Sequence, residues 1–133
     1  MAHPTHRDFD LEFQLQDALD TGRSVWVIGD VHGYFDTVSY LIEKINLKDG
    51  DFAVSLGDLI DRGPDSDRTI RLFRDKNGLV FLLGNHEFMM LRALEKNKNK
   101  SWNSWLKFGG VETLQSFGVE RGSHENLADE WVE

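Results

Sequence analysis

The sequence predicts an α/β fold, a βαβαβα parallel sheet flanked by helices, and two observations predict it. Three short apolar runs, at residues 25–28, 52–56 and 79–83, are each closed by a glycine. After each run stands a segment whose apolar residues recur at helical spacing. Strands that alternate with helices imply βαβ units, because parallel neighbours need a right-handed crossover.

Taken in order, Leu11, Leu15, Ala18 and Leu19 place a first helix over roughly residues 10–20, stopped by Gly22. Val25-Trp26-Val27-Ile28 is continuously apolar, the pattern of a strand buried on both faces. Val38, Leu41, Ile42 and Ile45 follow i, i+3, i+4, i+7 and predict an amphipathic helix, with Asp36 as its N-cap. Phe52 to Leu56 is the second strand. Pro64, Asp65, Ser66 and Asp67 open the next helix, with Ile70 and Phe73 on its apolar side and an end near Gly78. Leu79 to Leu83 is the third strand, and Glu87 to Leu94 the helix after it. Residues 95–100, rich in Lys and Asn, read as a solvated loop, with a substrate-facing rim as the alternative. Segments 102–106 and 111–117 read as short helices split by Gly109-Gly110, before an acidic stretch at residues 125–131.

Composition narrows the function. With 133 residues the chain is one domain by length and can bury a core. A formal charge of −8 argues against a general nucleic-acid binder, which needs a basic face to displace counterions. No apolar run approaches the length of a membrane span, and the first residues have no apolar core of a secretory signal. The absence of cysteine removes disulfides and thiolate chemistry and suits a reducing cytoplasm.

The chemistry lies just beyond each strand, in Gly29-Asp30-Val31-His32-Gly33, Gly57-Asp58-Leu59-Ile60-Asp61-Arg62-Gly63 and Gly84-Asn85-His86-Glu87. Alone, Asp30 beside His32 reads more readily as a helix cap with a polar neighbour than as a metal site. Two further strand ends carrying acids, an arginine, an amide and an imidazole point instead to metals held over a phosphate. Ligands in such sheets bind outside the carboxyl ends of the strands, where all three signatures fall.

These motifs closely resemble the calcineurin-like metallophosphoesterases, in the branch with GDxHG, GDxxDRG and GNHE blocks. Phe88-Met89-Met90 and the tryptophan-rich segment running into Gly109-Gly110-Val111-Glu112-Thr113-Leu114 look most like its bacterial and bacteriophage serine/threonine phosphoprotein phosphatases. The resemblance implies the N-terminal half of a β-sandwich, with residues 1–23 an extension and helix and residues 24–133 the metallophosphoesterase domain. It implies two divalent metals, manganese first and iron or zinc as alternatives. Asp30 and His32 would bind one, Asp58 would bridge both and Asn85 would bind the second. Arg62 would clamp phosphate, and His86, oriented by Asp61, would protonate the leaving oxygen. Each role has a structural alternative, with Asp61 as a turn acceptor and Arg62 as an ion-pair partner. His3, His6 and His124 read as surface, Met89 and Met90 as core, and Trp102 and Trp105 as a cap packed over the sheet.

The family's later histidine blocks, and its second phosphate-binding arginine, do not occur in these residues. The expectation is therefore a metal-dependent phosphoester hydrolase truncated in its second half. Only one metal site is fully supplied, activity of the isolated chain is weak or absent, and an exposed sheet favours self-association. Its substrate would be a phosphorylated protein or a small phosphoester, with no nucleic acid or membrane partner. A non-catalytic metal- or phosphate-binding fragment and a dinucleoside polyphosphate hydrolase are the alternatives. Glu87, where the second group favours Asp, leans towards the protein phosphatases.

Overall fold

The computed structural model describes residues 7–95 and 99–120. Its order is α1 (Phe9–Asp20), β1 (Val25–Ile28), α2 (Phe35–Ile45), β2 (Phe52–Ser55), α3 (Ser66–Asp75), β3 (Leu79–Phe81), α4 (Asn85–Ala93), α5 (Asn99–Trp105) and α6 (Val111–Ser116), with a segment kinked at Gly109 (Leu106–Gly110) between the last two. The three strands form one parallel sheet in the order β1-β2-β3, pairing Val27 with Val54 and Val54 with Val80. The α/β expectation holds. Among the described residues, no helix is long and apolar enough to cross a membrane.

One sheet face builds the core. Ile28, Ala53 and Leu79 meet Val38 and Ile42 of α2 and Phe73 of α3. A second cluster joins Ala93, Trp102, Trp105 and Leu114, and Met90 packs against both. The tryptophans therefore pack on α4 as a separate layer rather than simply over the sheet.

Several sequence expectations change. β1 is not buried on both faces: Ile28 is, but Trp26 is 47% and Val27 64% exposed. Among the described strands β1 is an edge, so its apolar residues lack a neighbour on one side. Leu82 and Leu83 lie beyond the end of β3 and are exposed, as is Leu56 after β2. α2 is capped at Tyr34, and Asp36 sits in its first turn. α4 begins at Asn85, two residues earlier than expected, which puts Asn85 and His86 on its first turn. Asn99 and Lys100, expected in a loop, open α5. His3, His6, His124 and the acidic stretch lie outside the described residues.

Candidate active site

The three signatures meet at the carboxyl ends of the strands because their backbones bind one another. The Asp58 carbonyl accepts the N–H groups of Val31 (3.0 Å) and His32 (2.8 Å), and Gly33 N–H donates to Leu59 (2.7 Å). The Gly84 backbone presses so closely on Gly57 and Asp58 that a Cβ on Gly57 or Gly84 would collide with it or with the Asp58 carboxylate. Four non-glycine residues here take left-handed backbone, His32 (φ 50°), Asp58 (54°), Asp61 (72°) and Arg62 (70°). Each such residue costs on the order of 1–3 kcal/mol and persists only where surrounding contacts over-determine it.

Glu87 supplies much of that determination. Its buried carboxylate accepts N–H groups from Asp58 (2.8 Å), Leu59 (2.7 Å), Ile60 (3.3 Å) and Gly84 (2.8 Å). From the third position of α4 it closes the reciprocal half of a capping box and staples two signature loops together.

Within this frame the structure brings together His32, Asp58 and His86, buried, with one ligand atom each inside 4.8 Å of the others. The two imidazoles meet edge to face at 4.7 Å. Their hydrogen bonds assign their tautomers. His32 Nδ1 faces the Ile60 carbonyl (2.9 Å) and His86 Nδ1 faces Asp61 Oδ2 (2.7 Å), both acceptors. Arg62, which can only donate, reaches His32 Nε2 (3.2 Å) and His86 Nε2 (3.1 Å). Both rings therefore carry the proton on Nδ1 and turn an Nε2 lone pair towards a cation. Histidine ligands characteristically hold their second nitrogen to a carbonyl or carboxylate in this way.

Of the expected ligands, His32 and Asp58 fall in the buried cluster. Asp30 is exposed, with Oδ2 3.7 Å from His32 Nε2. Asn85 opens α4 with an exposed side chain. Asp58 Oδ1 accepts the His86 N–H (2.9 Å). Imidazole nitrogen, carboxylates and an amide oxygen form a donor set suited to divalent first-row metals.

Asp61 is fully buried against His86. Burial pushes its carboxyl above the ordinary carboxylate range, and donors from Thr113, His86 and Trp105 hold that rise back. Sequence reasoning did not find Glu87's staple, Trp105 or Thr113. A Glu three residues after Gly84 is a readable capping signal. Trp105 and Thr113 stand 44 and 52 residues from Asp61 and have no local signal.

A parallel sheet whose strand ends gather such donors beside an arginine forms a candidate metal site. Residues 23–132 match the model of the calcineurin-like phosphoesterase family, to which this chain belongs. It is similar to serine/threonine-protein phosphatase 1 of Salmonella typhimurium, 40% identical over 89 residues, 66% of this chain and 39% of that protein. Serine/threonine-protein phosphatase 2 of Escherichia coli is 36% identical over 89 residues, again 66% and 39%. The symmetrical bis(5'-nucleosyl)-tetraphosphatase of Hamiltonella defensa is 40% identical over 82 residues, 58% of this chain and 30% of that protein. The chain thus spans about two-fifths of the length of the phosphatases it matches.

Proposed function

We propose that this chain carries the metal- and phosphate-binding residues of a phosphoester hydrolase directed at phosphoproteins. The observation that supports it most is the buried His32–Asp58–His86 cluster, with Arg62 donating to both imidazoles. In this reading Asp30, His32, Asp58 and Asn85 are the residues that would hold divalent metal. Bound metals of this kind supply Lewis acidity and lower the pKa of a water, with manganese the expected ion. Arg62, with its planar fork, binds phosphate oxygens and leaves the two histidines when it does so. His86, once protonated on Nε2, gives that proton to the leaving oxygen. Asp61 holds the ring in orientation through its Nδ1 hydrogen bond. A cytoplasmic setting belongs to the same reading, because cysteine is absent.

The test has two stages. Manganese is titrated calorimetrically into the chain, and Asp58→Asn is expected to weaken binding by about tenfold or more, as loss of a metal-site carboxylate should. Hydrolysis of an aryl phosphate, a phosphopeptide and a dinucleoside tetraphosphate is then compared with Asp58→Asn and His86→Asn. Metal binding without hydrolysis makes the chain a binding module. No metal binding removes the proposal. Preference for the dinucleotide favours the second reading, which the Hamiltonella relative supports. Exposed Trp26, Val27, Leu56, Leu82 and Leu83 support self-association, which sedimentation measures directly.

A further inference from the structure

We infer that Trp105 and Thr113, far along the chain from the three signatures, are positioning residues for the Asp61–His86 pair. The inference rests on the reading of His86 as the proton donor. Asp61 has no solvent to orient it, so its partners alone decide where the carboxylate points. Thr113 Oγ1 donates to Oδ1 at 2.6 Å. Trp105 Nε1 divides its one proton between Oδ1 (3.1 Å) and Oδ2 (2.9 Å). His86 Nδ1 takes the remaining direction on Oδ2 at 2.7 Å. The set is complete in donors and acceptors. Thr113 Oγ1, having spent its proton on Asp61, accepts the Asp61 N–H (2.9 Å) and faces Ser66 Oγ (3.2 Å).

The backbone is held from the same direction. The Arg62 N–H donates to the Gly109 carbonyl at 3.2 Å, where Gly109, at φ 113°, kinks the chain between α5 and α6. A left-handed glycine breaks the helix there and turns the chain from α5 into α6. This kink separates Trp105, on the last turn of α5, from Thr113 on α6, and both reach one carboxylate. Packing alone does not demand this arrangement. Trp102, in the same apolar cluster and equally buried, has no hydrogen-bond partner for its indole N–H among the described residues. Trp105, packed against it at 5.5 Å, aims its own N–H at Asp61.

The consequence falls on the ring of His86. With Oδ2 held, the neutral imidazole keeps its proton on Nδ1 and its lone pair on Nε2, the atom that must exchange a proton with a leaving group. If the carboxylate rotates, that preference is lost although the ring stays buried.

The test reads the ring rather than turnover. The full chain is labelled with 15N and the His86 ring signals are assigned with His86→Asn, without metal or phosphoester. The wild type is expected to show the Nδ1–H tautomer with a slowly exchanging Nδ1 proton. Trp105→Phe, which keeps the aromatic packing, and Thr113→Val should each speed that exchange by about tenfold or more, the scale of one lost hydrogen bond to a buried carboxylate. Both should mix the tautomers, and Thr113→Ser should restore the wild-type signal. If Trp105→Phe does not fold, the Thr113 pair carries the result. Wild-type exchange and tautomer in either folded variant overturn the inference. Failure of hydrolysis with these signals intact counts only against the proposed function.

Discussion

Replacing Glu87 with alanine should remove a large part of the chain's folding stability without touching a sequence-predicted site residue. Its carboxylate takes three N–H groups at 2.7–2.8 Å and a fourth at 3.3 Å. Asp58, Leu59 and Ile60 are buried and their N–H groups have no backbone acceptor among the described residues, whereas half-buried Gly84 can turn to water. A buried donor left unpaired costs about 1–3 kcal/mol, so with three of them Glu87→Ala should cost about 3–9 kcal/mol. That is a large share of the 5–15 kcal/mol typical of a whole domain (order of magnitude, ~0.1 kcal/mol per residue). Glu87→Gln keeps one acceptor and turns an NH2 group onto the other two donors, so about 2–4 kcal/mol is expected. Urea unfolding followed by the fluorescence of buried Trp102 and Trp105 measures both variants. An Ala variant within about 1 kcal/mol of wild type, at unchanged denaturant slope, refutes the reasoning that this carboxylate holds the loops.

Two further outcomes concern single positions elsewhere in the fold. Gly109→Ala places a Cβ 2.5 Å from the Arg62 nitrogen at φ 113°, and should lower the urea midpoint by an amount worth about 1–3 kcal/mol. Asp51 accepts the N–H groups of Ser24 and Lys48, which hold its carboxyl below the ordinary range. The stability this adds is present above the unfolded carboxyl value and is lost as pH falls through the lower, folded value. Asp51→Asn should therefore melt below wild type at neutral pH, with the gap closing in acid. A gap that is independent of pH would refute the carboxylate's part in it.

Much of the fold was legible because its signals are local. An apolar run closed by glycine and followed by a helical period needs only neighbouring residues, and all three strands and the helices after them were found this way. Element ends moved by a few residues where the tertiary contacts decide. Asn85 and His86 joined α4 because Glu87 reaches back to the Gly84 N–H. Burial was less legible. Val25–Ile28 is a strand as its composition demands, yet whether Val27 is covered depends on what lies beside the strand.

By itself the sequence determined the class of chemistry. Acids, imidazoles, an amide and an arginine placed at three strand ends mark a metal and phosphate site wherever the chain folds as a parallel sheet. Only the tertiary structure decided how those groups stand towards one another. The lone pairs of His32 and His86 face one guanidinium because Ile60 and Asp61 hold the opposite nitrogens. Asp61 is itself aimed by Trp105 and Thr113, 44 and 52 residues away. A hydrogen bond has direction, and direction between distant residues exists only once the chain has closed the loops that bring them together.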